Sequence, residues 1–494
     1  MAISVDTFFL DPASEGTLQA RIQQMVAQGI LAGRFRPGEK LPSSRKMAQH
    51  LGVSRITVTL AYTELVADDY LTSRGRSGYY VSDNAPEPPA FPASRSGRDT
   101  VDWTQWIAMR HSPALGMEKP ADWASYRYSF IFGQADPTLF DSSNWRLCAL
   151  QALGKRDFSA LTADYFDGDD PKLVDFIARQ ILPRRGILAS PDEILVTMGA
   201  QNALWLTAQI LLSARHRVAI EDPCYPALRS ILTQTGCHLD PVPVDRDGLP
   251  PDRIAPETDV VFTTPSHQCP TSATMPLARR KALLARAEAD DFLVVEDDYE
   301  FEMSFLKPPS PALKSLDQSG RVLYVGSFSK SLFPGLRLGY LVGPAPFIRE
   351  ARALRASVLR HPPGHIQRTV AYYLSLGHYD ALVRRMGQAY HERRKVMDKA
   401  LLAHGLTIAG EGYFGGSSVW VAAPPSVDTE DLARRLRHDG VLIEPGAPFF
   451  AGAAPPRHFI RLAYSSIPAT RIEDGIARIA AQIDGLTASR GARG

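Results

Sequence analysis

The stretch 326–340, GSFSKSLFPGLRLGY, ends an apolar run, RVLYVGSFS (321–329), and sets a lysine among small hydroxyl residues. A lysine that forms a Schiff base must be partly deprotonated and aimed at a carbonyl carbon. Lys330 is the candidate. Ser327 and Ser329 beside it can bond a phosphate, and Arg337 can pair with the same phosphate through both arms of its guanidinium. Alone, the pattern also describes a surface lysine in a serine-rich loop, so the surrounding segments decide.

Upstream lie four more short apolar runs: EILVTMG (193–199), HRVAIEDP (216–223), DVVFTTP (259–265) and FLVVEDDY (292–299). Most are separated by helical patterns, such as QNALWLTAQILLSA and ARRKALLARAEAD. Runs of this kind predict an α/β unit, a mostly parallel sheet with helices on both faces. Ligands in such sheets bind at the carboxyl ends of the strands. There, EDDY offers Asp297 for a protonated pyridine nitrogen, an ion pair that keeps a pyridoxal ring electron-withdrawing. Tyr299 can bond the ring hydroxyl. MGAQNALWL puts Gly199, Ala200 and Gln201 where a strand becomes a helix, and N–H groups at a helix start cradle phosphate. EDPCYP puts Tyr225 where its ring can stack on a flat cofactor, although a core tyrosine fits as well.

At 494 residues the chain is long enough for about three compact units. A formal net charge of +2 excludes a global field for a polyanion, so any nucleic-acid site must be a local patch. Cys148, Cys224, Cys237 and Cys269 have no metal-site or redox spacing, and no metal is assigned. The start, MAISVDTFFLDPASEG, lacks the pattern of a signal peptide, and no stretch approaches a membrane span. The expected home is the cytoplasm, away from membranes. Three zones follow: a helical unit with a terminal hairpin over 12–82, a Pro/Ser/Gly-rich linker over 83–122, and the α/β zone over 123–494. Within the last, a large lobe spans about 160–360 and a smaller α+β lobe about 361–494 with the zone's N-terminal segment, its short strands including VWVAA and HFIRLAY.

The first zone reads as a winged helix-turn-helix. LQARIQQMVAQGIL is amphipathic, with Leu18, Ile22, Met25 and Val26 on one side. A second helix opens at Ser43, Ser44 and Arg45, Gly52 permits a turn, and Ser54 caps a third helix, RITVTLAYTELVADD. Such a pair places the latter helix in the major groove, presenting Ser54, Arg55, Thr57 and Thr59. Arg55 is the best candidate for guanine. LTSRGRSGYYVS forms a wing whose Arg74, Arg76, Ser77 and Gly78 meet the DNA backbone or minor groove.

From RPGEKLPSSR through LGVSR to GYYV, this zone resembles the GntR-type winged helix. The third zone resembles a fold-type-I aminotransferase dependent on pyridoxal 5′-phosphate. The order MGAQNAL, EDPCYP, TPSHQCPT, EDDY, SFSKSLFPGLRLGY, GHYDALVRRM and HFIRLAY makes the whole chain resemble the MocR/GabR family of transcription regulators. The resemblance implies Lys330 as the internal aldimine lysine, Asp297 on the pyridine nitrogen, Tyr299 on the ring hydroxyl and Arg461 on the acid group of an amino-acid-like effector. It implies Tyr165 on the partner subunit's phosphate, a head-to-tail homodimer and double-stranded operator DNA as target. Sensing by external aldimine formation at Lys330, with weak or no transaminase turnover, is the expected activity. A working aminotransferase, or a sensor of pyridoxal 5′-phosphate controlling vitamin B6 genes, are the alternatives. The chain departs from the family at Cys269, Ser272, Ala227 and the YFDGDDP segment, which bears on the effector more than on the cofactor.

Overall fold

A computed structural model describes residues 2–11, 15–86, 101–108, 120–134, 136–164, 167–410, 412 and 414–491. Residues 1–108 and 109–494 form two compact units.

The first unit packs α1 (Leu18–Leu31), α2 (Ser44–Leu51) and α3 (Arg55–Ala67) beside a hairpin of β1 (Leu71–Ser73) and β2 (Tyr79–Val81). Each helix starts at a hydroxyl cap: Thr17 accepts from Ala20 N (3.2 Å), Ser43 from Lys46 N (3.3 Å) and Ser54 from Thr57 N (3.1 Å). Gly52 ends α2 at φ 65°, a left-handed turn that costs glycine little and turns the chain sharply into α3. Ile22, Val26, Met47, Val58, Tyr62 and Leu65 close the core at helical spacing. Two details differ from the sequence reading. Leu18 lies on the exposed side of α1, and the buried stripe continues instead to Ile30. The N-terminal segment also joins this core, since Phe8 is buried against Phe35 (centroids 4.9 Å) and its carbonyl meets His50 Nε2 at 2.9 Å.

In the second unit β3 (Tyr128–Ser129) precedes β4 (Ile194–Thr197), β5 (Arg217–Asp222), β6 (His238–Pro243), β7 (Val260–Thr263), β8 (Leu293–Asp298), β9 (Val322–Ser327) and β10 (Gly339–Val342). The last seven form one sheet in the order β4-β10-β9-β8-β7-β5-β6. β10 runs antiparallel to both of its neighbours, and the remaining pairs are parallel. Both faces are covered, which is why the strands read as unbroken apolar runs. Val218, Ile220, Phe262 and Val295 pack with Leu204 and Ile348 of the helices Ala200–Leu211 and Ala345–Leu359. Ala219, Val261, Val294 and Val322 alternate with them and pack with Leu283 of the helix Leu277–Ala289.

The five strands expected from sequence are present. β6 and β10 were not expected. β6 is an edge strand with two prolines, which an edge tolerates. β10 lies within the opening stretch itself. Gly339 pairs in register with Ser327, so the chain leaves β9, carries Lys330 round a loop and returns beside its own exit.

A second, antiparallel sheet joins β11 (Thr407–Ile408), β12 (Ser418–Ala422), β15 (Phe459–Ala463) and β14 (Glu444–Pro445) in that order. β13 (Val441–Leu442) pairs in parallel with β3, and Ala463 N donates to Phe130 O (2.9 Å). This stitching ties the segment 128–132 to the smaller sheet. Among the described residues, no helix is long and apolar enough to cross a membrane.

Candidate ligand site and nucleic-acid interface

The carboxyl ends of β5, β8 and β9 and the start of the helix Ala200–Leu211 converge on a cavity of about 390 Å³. Lys330, Asp297, Tyr299 and Tyr225 line it, with Ala200 and Gln201 of the helix start, Ser327, Ser329 and Arg337 of the lysine loop, and Arg461 of β15. These residues are scattered over more than 250 positions of sequence, and the fold brings them together. Gly199 caps the helix at φ 81°, and a Cβ there would stand 3.4 Å from the Arg337 guanidinium. That is ordinary contact, so it is the left-handed φ that favours glycine at the junction where helix N–H groups and an arginine meet. Arg337 sits at φ 51° in the left-handed region, which turns it back toward β4, where Nη2 donates to Met198 O (3.3 Å). Tyr165 lies outside the described residues.

Asp297 is 8% exposed and its Oδ1 is buried without a hydrogen-bond partner. Burial, reinforced by the negative Asp298 and Glu221, pushes its carboxyl up to about 7 against the opposing pull of Lys330. The neighbouring Asp298 shows the contrast. Despite its burial, Arg185 (2.6 Å) and the Tyr324 hydroxyl (2.9 Å) hold it below the usual carboxylate range. Asp298 also has an unpartnered Oδ1, but its Oδ2 is held by an arginine and a tyrosine; Asp297, with no ion pair of its own, is the one placed to take a cationic donor from the cavity.

Tyr299 departs from its expected role in part. It lines the cavity, but its hydroxyl donates to His267 O (3.0 Å), leaving only its lone pairs for a ligand. Arg461 is not free either. Its Nε donates to Glu444 Oε2 (2.8 Å), its direct cross-strand neighbour on β14, and Nη1 reaches Cys269 Sγ (3.8 Å). The guanidinium lies 4.1 Å from the centroid of Phe132, whose ring centroid also stands 3.9 Å from Lys330 Nζ. Burial pushes the Cys269 thiol up to about 12, so it is a neutral wall group. Burial likewise drives His267 down to about 4, a neutral imidazole with both ring nitrogens unpartnered. Sequence reasoning missed Phe132 and Glu444. Glu444 had a weak signal, as the one acid in the apolar run VLIEPGAP.

In the first unit Arg45 and Arg55 are exposed, and Arg55 Nε donates to Ser44 Oγ (3.4 Å), joining α3 to α2. Several hydroxyls expected to face DNA are committed within the helix. Ser54 caps it and meets Thr57 Oγ1 (2.8 Å), and Thr59 Oγ1 donates to Arg55 O (2.9 Å). In the wing, Arg74 stacks on Tyr80 (4.6 Å), Ser77 Oγ meets the Tyr80 hydroxyl (2.7 Å) and Gly78 adopts φ 107°. The Arg76 side chain lies outside the described residues. Among the described residues, no group of His, Cys, Asp and Glu is arranged to hold a metal ion.

A winged helix followed by a mixed α/β sheet with a lysine, a lone aspartate and an arginine round one cavity defines a DNA-binding module fused to an aminotransferase-like domain. Residues 137–479 match the family described as aminotransferase class I and II, and residues 18–81 match the bacterial regulatory proteins of the gntR family. The chain is 61% identical to the HTH-type transcriptional regulator TauR of Rhodobacter capsulatus over 481 residues, 97% of this chain and 99% of that one. It is 31% identical to the probable rhizopine catabolism regulatory protein MocR of Rhizobium meliloti, covering 94% of each. Among solved structures, LysN, an α-aminoadipate aminotransferase from Thermus thermophilus complexed with N-(5′-phosphopyridoxyl)-L-leucine, matches with TM-score 0.69 and 27% identity, over 78% of this chain and all of that one. The chain belongs to the MocR family of transcription regulators, with a GntR-type DNA-binding domain and an aminotransferase-like domain of fold type I. That fold implies pyridoxal 5′-phosphate as cofactor.

Proposed function

We propose that the cavity holds pyridoxal 5′-phosphate at Lys330, senses an amine with an acidic end, and passes that signal to operator DNA. The observation that carries this reading is the buried, unpartnered Oδ1 of Asp297 across the cavity wall from Lys330. The residues fit the group. Asp297 holds a proton at the ring nitrogen. Gly199, Ala200, Gln201, Ser327, Ser329 and Arg337 bind the phosphate, and Tyr225 covers the ring. When bound, the cofactor supplies an aldehyde carbon that primary amines take up reversibly. Lys330 provides the resident amine, and the remaining N–H groups of Arg461 take the carboxylate or sulfonate of an incoming one.

In this reading residues 12–82 read the operator, 83–122 link the units, and 123–494 sense. The chain acts as a head-to-tail homodimer in the cytoplasm, with Tyr165 on the partner's phosphate. A ligand moves such an equilibrium only through unequal affinity for its two states. The test is a titration of the purified full-length chain with pyridoxal 5′-phosphate, then with acidic amines, following absorbance, operator affinity and keto-acid exchange. The expected result is a coloured protein whose spectrum and DNA affinity both respond to an amine, without sustained exchange. A protein that is colourless once excess cofactor has been removed overturns the reading. Sustained exchange favours a working aminotransferase, and a DNA response to cofactor alone favours a vitamin B6 sensor.

A further inference from the structure

The outward ridge of α3 is apolar. Val58, Ala61, Tyr62 and Leu65 are buried and set the inward direction of this helix. At about 100° per residue, Ile56, Leu60 and Thr63 project from the opposite side. Ile56 is 73% exposed and Leu60 49%. Arg55 is turned instead toward α2 and Ser44, and the Thr63 hydroxyl donates to Thr59 O (2.9 Å). The residue nearest the helix start on the ridge that enters a major groove is thus a hydrocarbon left largely exposed by the described residues.

The neighbouring elements carry exposed cations. Arg45 and Lys46 are exposed on α2, and Lys40 and Arg74 both lie over the Tyr80 ring at the wing, at 5.6 and 4.6 Å. The occupant this arrangement fits is a phosphate-lined groove, not an apolar protein surface. The floor of a major groove presents one apolar group, the C5 methyl of thymine. We propose that Ile56 is a specificity-determining residue that packs on the C5 methyl of one thymine in each operator half-site. This rests on reading the first unit as the operator-binding module.

The experiment selects binding sites for the full-length protein, and for Ile56→Ala, from a randomised DNA duplex pool. Each thymine of the wild-type site is then replaced singly by uracil, which removes only the methyl. The expected wild-type site has one T·A pair whose preference disappears in Ile56→Ala while the other positions persist. Uracil there weakens wild-type binding about fourfold, the worth of one buried methyl-sized group, and leaves Ile56→Ala indifferent. Wild-type binding that ignores uracil at every position overturns the proposal, whether or not the variant folds. So does an Ile56→Ala protein that keeps every base preference, or that changes only its oligomeric state. A wild-type pool that enriches no sequence sinks the operator-binding reading itself, and this inference with it.

Discussion

In the first unit Arg45, Arg55 and Arg74 stand in solvent, whereas in the second Asp297 and Arg461 are 8% and 3% exposed. The two sets answer to different partners. DNA arrives with its own charge and hydration, so its reader keeps its cations solvated and loses little by waiting. A small molecule must be enclosed, so a site for one holds charges out of water before any ligand comes. That difference shows in the ionisation of the groups. Burial lifts Asp297 to about 7 and Cys269 to about 12, and Arg461 is retained as a cation by Glu444. A substitution at the reader should therefore change binding alone, while one at the cavity should change stability as well.

Four experiments probe that contrast. The largest effect belongs to Lys330→Ala, which should abolish the visible absorption that stays with the protein after unbound pyridoxal 5′-phosphate is removed, leaving operator affinity without the amine unchanged. Next, Arg461→Ala leaves Glu444 as a buried carboxylate with its cation removed, which should cost about 3–5 kcal/mol in denaturant unfolding of the second unit. Arg461→Met combined with Glu444→Met should restore the stability without restoring the response to acidic amines. If the double variant regains the response, Arg461 is not the acid-binding group. Third, Arg55→Ala, which removes an exposed cation turned toward α2, should weaken operator binding about evenly across base sequences and leave unfolding within about 0.5 kcal/mol of the parent. A variant that loses stability instead of affinity would make Arg55 a strut between α2 and α3.

The fourth is a pH profile of the cofactor-free chain. The folded carboxyl of Asp297 keeps its proton up to about 7, while the unfolded one releases it from its ordinary value of 3.8. The folded state then binds more protons, so stability falls as pH rises between those values, by up to about 1.4 kcal/mol per pH unit. Asp297→Asn should remove that slope, and thermal unfolding of both chains from pH 4 to pH 7 measures it. Parallel profiles would mean that Asp297 ionises normally.

Much of this was legible in the residues. Interior strands covered on both faces are continuous apolar runs, so β4, β5, β7, β8 and β9 stood out. β6 did not, because an edge strand tolerates Pro241 and Pro243 and lacks that signal. β10 was masked by the chemistry of the loop that precedes it. Of the cavity, the residues at strand ends could be found by position. Phe132 could not, since its segment arrives by a pairing distant in sequence, β3 with β13, and Glu444, which holds Arg461 from the next strand, gave only the weak signal of one acid in an apolar run. In the reader, hydroxyl caps identified the helix starts, yet the same caps occupy Ser54, a residue expected to reach DNA. The exposure of Ile56 follows from the helical phase of α3 and was overshadowed by the polar residues around it.

The pairing of Ser327 with Gly339 limits where Lys330 can go. The loop between them begins and ends at one rung of the sheet, so its lysine travels on a short leash. An amine held in that way keeps to one place on the cavity wall. Whatever motion a ligand starts must then travel through the other wall of the cavity, where Phe132 and Arg461 ride on the smaller sheet.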